Sequence, residues 1–600
     1  MFPPQTSLIP VTVALSKFAE SLLNQNGWLA IRSLSVGWSP YWYLGVPYRF
    51  LTGPIIPLIS FYAHKVLPNV SLFSITIYFI VASFLLGALG WGVLVGKVQN
   101  PNFKIQKFGI GHLTFVIYLL LPWKYLSSIA ISEASDVISG NFLPFALIAF
   151  WNYYQRPGRK NALIAILTLV FLLLINTTVF TILLVGLAAL ILSVSFKKGK
   201  FKGTGAFIKP TLFLILASLF IVTLWYTPSY WSTVILNPSI GGAAGYKVFL
   251  RIVDLLKTSV PLFFAIGAVY FSGKVKNRLI IFSLTWLFTF LFLTVFRFIG
   301  DPDFWQDWSS WFSELETGVV LLAVMPIWTI FLSLKEKKKD FLYSRKIYFV
   351  ILVILILPFF LTKYIYSVLN EPRFITNSPP LAVKSLSKLS ELAGDSRTFI
   401  SGSTVFWANS SYDLIQVRGG VDKAATHPLW DHAAYQLREG SSVELAEAWL
   451  KVLGVEYVLV HGPASTEAYK DFKFIDKWDK VGERLWEENG DVIYKVSDAN
   501  LVWEVDFEKL KKTKRPENGK DLEALQLYLS PRSKPVRVEI VERTYRLTSD
   551  TPMENVLVLV SFSSKWKAQA KDGKSFKVEK DNFGHLLIYA EGEREIILSI

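Results

Sequence analysis

The sequence predicts a polytopic α-helical membrane domain of about ten spans, followed by an extracytoplasmic α/β plus β-sandwich-like domain. Three observations carry this. The 600 residues are 52% hydrophobic and only 18% charged, with a mean hydropathy of +0.39, and a soluble chain carries more charge. Apolar runs able to cross a bilayer recur at 71–96, 110–131, 140–154, 161–176, 178–196, 210–228, 258–272, 279–297, 317–334 and 347–368. From about residue 370 the composition turns into that of a soluble domain. The expected units are 1–70, an outer-face loop with interfacial helices; 71–369, the helical membrane domain; 370–505, an α/β domain; and 521–600, a β-sheet domain. The charged stretch 509–520 reads as the linker between the last two.

The opening segment offers no secretory leader, because residues 1–10 (MFPPQTSLIP) lack a basic start before an apolar core. Residues 11–23 are amphipathic and short, which predicts an interfacial helix. The run 52–67, interrupted by Pro54 and Pro57, reads as half-inserted. Between them lies GWSPYWYLGVPYRFLTGPIIP (37–57), with six aromatic residues and seven glycines or prolines. So broken a stretch predicts an aromatic loop at the membrane surface.

Charge orders the spans. The basic loops, 97–107, 156–160, 197–209, 274–278 and 335–346, each fall on the same side if all ten runs cross, and the alternate loops are poorer in Lys and Arg. Those alternate loops hold Glu133 and Asp136, the segment 227–257 and the acidic, aromatic segment 301–316. An even number of spans places the opening loop and everything after residue 368 outside the cytoplasm. The net charge of +16 is therefore topology and not a nucleic-acid footprint. With no cysteine in the chain, disulfides, thiolate metal sites and cysteine nucleophiles are excluded.

In the soluble part, AEAWLKVLGVEYVLVHG (446–462) reads as helix, glycine turn and buried strand. The stretches 536–547, 555–568 and 585–590 alternate or run apolar between turn residues, as β-sheet does. HPLWDH places His427, Asp431 and His432 close in sequence, but no third convergent ligand accompanies them and a structural role is the expectation. Asn69, Asn176 and Asn409 open Asn-x-Ser/Thr triplets.

Candidate chemistry lies at the outer face. Glu133 and Asp136, three apart, share a helix face or turn; they are the expected catalytic carboxylates and could hold a divalent cation, Mg or Mn. The alternative is a solvated acidic loop. Arg297 stands at the outer end of a span beside Asp301, where it either snorkels or meets a phosphate. Arg32 and Arg49 bracket the aromatic loop and suit an anionic lipid headgroup; Lys124 is another boundary cation. Glu314 and Glu316 open the next span, and one of them reads as an interface marker.

WSPYWYLGVPYRFLTGPIIPLISF (38–61) resembles the W-x-P-x-x-x-x-G-x-P element in the first outer loop of GT-C superfamily glycosyltransferases, particularly prokaryotic members described as 6-pyruvoyl-tetrahydropterin-synthase-related or YfhO-like. VRGGVDKAATHPLWDHAAYQL (417–437), LKVLGVEYVLVHG (450–462) and VSFSSKWKAQAKDGKSF (560–576) are similar to stretches of those proteins. The resemblance implies transfer of a sugar from a polyprenyl-phosphate donor to a glycan, lipid or protein acceptor at the outer face, by an inverting displacement that an outer-loop carboxylate assists. It implies substrate contacts for Trp38, Trp42, Tyr43, Arg49, His112 and Arg297, and the bilayer as partner. GNFLP (140–144) is similar to the end of the family's second outer loop, which places Glu133 and Asp136 there. One departure stands: the family's Asp about two dozen residues before the W-x-P element has no counterpart, since 11–23 offers only Glu20, and its first span is absent. Either the chain starts late or that base is lost. The rival expectation is a non-catalytic scaffold for envelope glycans or lipids. The residues from about 375 onward are expected to fold on their own.

Overall fold

The computed structural model describes residues 1–24, 30–100, 109–120, 122–197, 200–201, 203–236, 267, 277–299, 308–335, 375–541 and 544–600. Where water is scarce, backbone groups must bond within their own segment, so the apolar runs fold as helices. They are Leu72–Gln99, Ile110–Leu120 with Pro122–Ala130, Ala134–Gln155, Arg159–Ile175, Val179–Ser195, Thr204–Val222, Arg278–Ile299 and Trp308–Lys335. Among the described residues four helices are long and apolar enough to cross a membrane. A fifth joins them if the pair Ile110–Leu120 and Lys124–Ala130, bent by 46°, counts as one span. That is fewer than the ten expected spans; the run 347–368 and, apart from residue 267, the run 258–272 lie outside the described residues.

Close approach needs small residues. A Cβ on Gly87 would meet Asn141 Oδ1 at 2.7 Å, and one on Gly90 would meet Pro144 Cγ at 2.7 Å, so these glycines let Leu72–Gln99 pack tightly on Ala134–Gln155. Asn141 links the pair to a third helix, accepting from Tyr118 Oη at 2.7 Å and donating to Ser83 Oγ at 2.9 Å. Two ends of the bundle differ as the loop charges require. At one, Lys97 Nζ donates to Asn152 Oδ1 at 3.1 Å and Arg278 Nε to Phe196 O at 3.4 Å. The other end gathers the turns near 131–136, 176–178 and 225–230.

The C-terminal part holds two sheets. The first has five strands, in the order Ile415–Gln416, Arg397–Ile400, Val455–His461, Asp491–Lys495 and Glu483–Glu488; the first three are parallel and the last two antiparallel additions. The expected helix, turn and strand appear as Val443–Leu453, Gly454 at φ +67° and Val455–His461. The second sheet has eight antiparallel strands around two long partners, Thr544–Val558 and Leu586–Ser599, whose register shifts between Thr548 and Asn555. That irregularity divides the sheet into two halves sharing the long pair. Strand Val502–Val505 pairs with Thr544–Val558, so the second sheet begins ahead of residue 521. The stretch 509–520 is strapped down, with Trp449 Nε1 donating to Gly519 O at 2.8 Å and Asn582 Nδ2 to Thr513 O at 2.6 Å.

The first residues depart most from expectation. Helix Ile9–Leu23 buries twelve of its fifteen residues among Thr404–Ser411, Ile55–Val66 and Leu72–Gln99, so it is a core element and not an interfacial helix. Its apolar residues and most of its small polar ones meet protein, and Lys17, Glu20 and Ser21 are the positions that reach the surface. Helix Ile55–Val66 exposes Ile59, Tyr62 and Val66. Residues 1–5 also join the C-terminal part: Phe2 bridges to Thr376, Gln5 Nε2 donates to Glu467 Oε2 at 2.7 Å, and Trp407 Nε1 donates to Gln5 O at 3.0 Å. The residues from 375 onward therefore pack against the start of the chain.

Candidate functional site

The aromatic stretch splits in two. Trp38, Trp42 and Tyr43 are buried, inserted between the helical bundle and both C-terminal sheets. Trp42 Nε1 donates to Asn409 Oδ1 at 2.8 Å, and Gln416 N donates to Tyr41 O at 2.8 Å. Residues 43 to 45 all adopt positive φ, at 53°, 64° and 92°, a turn that non-glycine residues adopt only when their surroundings hold it. Ser561 does so, donating from N to Leu44 O at 2.7 Å and from Oγ to Tyr43 O at 3.2 Å. These three aromatics are a wedge in the fold, not an open ligand surface. The Oδ of Asn409 and its Nδ2, which donates to Leu414 O, are spent inside the protein.

The second half of the stretch reaches a cleft. A Cβ on Gly53 would lie 1.9 Å from Leu174 O, so only glycine lets 50–53 lie against the end of Arg159–Ile175. Phe50, Leu51 and Thr52 thereby line a small cleft, with about 10 Å³ of free space, together with Glu133, Ser135, Asn176, Thr177, Tyr226, Tyr230, Val421 and Lys423. Tyr226 and Tyr230 form one wall, their rings 4.6 Å apart, with Tyr230 Oη 2.9 Å from Thr177 Oγ1. Lys423 comes from the C-terminal part. Its turn is held by Tyr43, whose hydroxyl donates to Asp422 Oδ1 at 2.8 Å and accepts from Val421 N at 2.7 Å. The buried wedge thus presents a cation to the cleft.

Glu133 ends the turn before helix Ala134–Gln155 and accepts from Ser135 Oγ at 2.5 Å. Burial, and next the charge of Asp136, push its carboxyl up to about 7, against the lowering effect of Ser135 and Lys423. A carboxylate poised near neutrality in a cleft is suited to proton transfer.

Asp136 is placed otherwise. Its Oδ1 accepts from Asn176 Nδ2 at 2.6 Å and from Thr178 Oγ1, and its Oδ2 accepts from Ser310 Oγ at 2.8 Å. It lines a second small cleft, also with about 10 Å³ of free space, with Ser132, Ser139, Thr178, Ser310, Ser313 and Glu314. Glu314 and Glu316 are buried and not interface markers. Lys124 supplies a nearby positive charge and donates to Ser313 O at 2.9 Å and Thr317 Oγ1 at 2.7 Å, while Glu316 Oε2 accepts from Ser127 Oγ at 2.7 Å.

The two expected metal ligands line different clefts, so Glu133 and Asp136 do not fit a cation as a pair. Asp136 and Glu314 line one cleft, where Glu314 Oε2 and Ser132 Oγ are buried without a hydrogen-bond partner among the described residues, but the Asp136 oxygens are taken by Asn176, Thr178 and Ser310, so this pair does not fit a cation either. No cluster of three or more His, Cys, Asp or Glu with metal-holding geometry occurs among the described residues.

The other expected residues are scattered. Arg49 is half-buried beside the cleft with its Nε unpartnered. His112 lies at the opposite end of the bent helix pair from Glu133, and its Nδ1 accepts from Gly109 N at 3.2 Å, so it cannot share the cleft. The side chain of Arg297 lies outside the described residues. Lys423, Tyr226, Tyr230 and Glu314 were not singled out from sequence as site residues; only the GGVDK turn at 419–423, a glycine pair before a lysine, hinted at one of them. Asn176, noticed as a triplet, is instead a hydrogen-bond donor between the clefts, giving 2.8 Å to Ser135 Oγ.

The fold and the clefts define a helical protein with spans long enough for a membrane, whose sheet-rich C-terminal part closes over one end of the bundle. No model of a known protein family and no curated protein matches the chain. Among solved structures it is similar to the archaeal oligosaccharyltransferase AglB from Archaeoglobus fulgidus in complex with an inhibitory peptide and a dolichol-phosphate. That alignment has 12% identity and a TM-score of 0.42 over 75% of this chain and 65% of the other. It is also similar to the arabinofuranosyltransferase AftD from Mycobacteria, with 11% identity and a TM-score of 0.41 over 100% of this chain and 57% of the other. The chain thus spans 65% and 57% of those proteins. Likeness at this level leaves the function to be argued from the residues themselves.

Proposed function

We propose that the chain is a GT-C-like membrane glycosyltransferase that moves a sugar from a polyprenyl-phosphate-linked donor to an envelope acceptor on the outer face. The observation that carries this is the cleft joining Glu133, raised to about 7, with Lys423 and the tyrosine wall Tyr226 and Tyr230. The W-x-P element resembles that family, and the loops poor in Lys and Arg, which charge assigns to the outer face, are the ones that line the cleft. The C-terminal part sits over that same end, which supports its extracytoplasmic placement.

In this reading a sugar ring stacks on Tyr226 and Tyr230, with Phe50 and Leu51 toward the lipid. The acceptor hydroxyl gives its proton to Glu133 as its oxygen bonds to the anomeric carbon. The bond from that carbon to the phosphate oxygen breaks, and the electron pair leaves with the polyprenyl phosphate. Lys423 meets the charge that develops there, where a cation matters more for turnover than for binding. Arg49 stands close enough to the cleft's edge to assist.

The test is direct. The purified chain, reconstituted in lipid, is offered polyprenyl-phosphate pentoses and hexoses, and release of polyprenyl phosphate is followed. Turnover with at least one donor, lost in Glu133→Gln while membrane insertion and yield persist, is the expected result. A wild-type chain that neither binds nor turns over any donor makes the scaffold reading the better one.

A further inference from the structure

Asn176 follows the end of helix Arg159–Ile175 and is buried between the two clefts. Its Oδ1 accepts from the backbone N of Thr178 at 3.0 Å, a turn that asparagine makes with the residue two further on. A backbone N–H only donates, so this bond fixes which end of the amide is the oxygen. The Nδ2 end then places its two hydrogens on Asp136 Oδ1 at 2.6 Å and Ser135 Oγ at 2.8 Å.

Ser135 has a single hydroxyl hydrogen. Its Oγ accepts from Asn176, and a carboxylate does not donate, so that hydrogen points at Glu133 Oε1, 2.5 Å away. The bonds therefore run in one direction, from Thr178 N through Asn176 and Ser135 to Glu133. An aspartate at 176 would make the same turn, but it would offer Ser135 only acceptors and set a second charge beside Asp136. A serine or threonine there would lack the second hydrogen. An amide alone supplies one acceptor and two donors in this geometry.

We infer that Asn176 is a positioning residue for Glu133: it holds Ser135 as a donor to Oε1 and so leaves Oε2 as the oxygen that receives the acceptor's proton. The inference rests on the proposed role of Glu133 as base. Without the amide, Asp136 is short of a donor and the Ser135 hydrogen is no longer steered to Glu133. Ser135 lowers the Glu133 carboxyl against burial and the charge of Asp136, so a misdirected hydroxyl lets it rise. The other titratable groups that face Glu133 are Lys423 from the 421–424 turn and Tyr226, with Tyr230 in the same cleft. The substitutions below leave all of these in place.

Two readouts on the full chain in lipid test this. One is the acidic limb of kcat/KM for polyprenyl-phosphate release. The other needs no donor: the pH titration of the carboxyl infrared band that Glu133→Gln removes. Ser135→Ala deletes the bond to Oε1 and should move both to higher pH by about one unit. Asn176→Ala should move them the same way, and the double variant no further than Ser135→Ala alone. If Asn176→Ala fails to fold, Asn176→Ser keeps the turn with one hydrogen, which the Asp136 carboxylate takes, and the same shift is expected. A band that stays in place in the Asn176 variant overturns the inference, as does a double variant that moves beyond Ser135→Ala, since Asn176 would then act through Asp136. A chain that turns over no donor sinks the enzymatic reading while the infrared shift still stands, whereas an active enzyme with an unshifted band sinks this inference alone.

Discussion

Glu133 and Asp136 stand one helical turn apart, and in sequence nothing ranks one above the other. The structure separates them. Asp136 spends its oxygens on Asn176, Thr178 and Ser310, drawn from two other helix ends, whereas Glu133 has a single short bond to its neighbour Ser135 and faces Lys423 and the tyrosine wall. A carboxylate that is saturated with donors holds elements together; one that is desolvated with room beside it can move a proton. The difference between the two clefts is thus a difference in how many partners the fold gives each acid.

The largest effect that would break this comparison is on turnover. Glu133→Gln should lower the rate of sugar transfer by about 10²-fold or more with little change in Tm. Asp136→Asn should do the opposite in part, losing charge-assisted bonds worth about 1.5–3 kcal/mol each, and should be seen first as a lower Tm and yield. Equal loss of turnover with unchanged Tm in both variants would erase the distinction.

Next comes pH. Glu133 must be deprotonated to accept a proton, so kcat/KM should fall as pH drops through about 7. The stability sign is the reverse, because a carboxyl raised in the folded state keeps its proton where the unfolded chain has released it; this group's contribution worsens from about 4.5 to about 7 and is constant above. Lys423 lowers the Glu133 carboxyl, so Lys423→Met should move the activity limb to higher pH. A limb that stays in place would detach Lys423 from Glu133.

A third measurement concerns the wedge. Tyr43→Phe keeps the ring but removes both hydrogen bonds to the 421–422 turn. It should cost about 1–3 kcal/mol in thermal unfolding and raise KM more than it lowers kcat if Lys423 binds phosphate. The smallest expected effect is that of Thr178→Val, which takes one of several donors from Asp136 and should cost about 1 kcal/mol with activity retained.

The same contrast bears on domain structure. Expressed alone, residues 375–600 lack the partners of Trp407, Gln416 and Ser561, namely Gln5, Tyr41 and Leu44. They should aggregate or fail to unfold cooperatively, and adding residues 1–66 in trans should improve solubility.

Hydropathy and loop charge by themselves determined the helical first half, the helix and strand around Gly454 and the strands after 536, because these follow from local periodicity and from the cost of placing charge in lipid. They also brought Glu133, Asp136 and the 37–57 stretch forward as the region to examine. Only the tertiary structure decided what each does there. Burial of Trp38, Trp42 and Tyr43 depends on the two sheets hundreds of residues later, and pattern along the chain carries no record of that meeting. Lys423 belongs to a solvated-looking turn until Tyr43 fixes it at the bundle's end. Glu314 reads as a boundary acid until helix Trp308–Lys335 packs it beside Asp136. Elements are set by neighbours in sequence, whereas the partners that saturate, desolvate or free a charged group are set by neighbours in space.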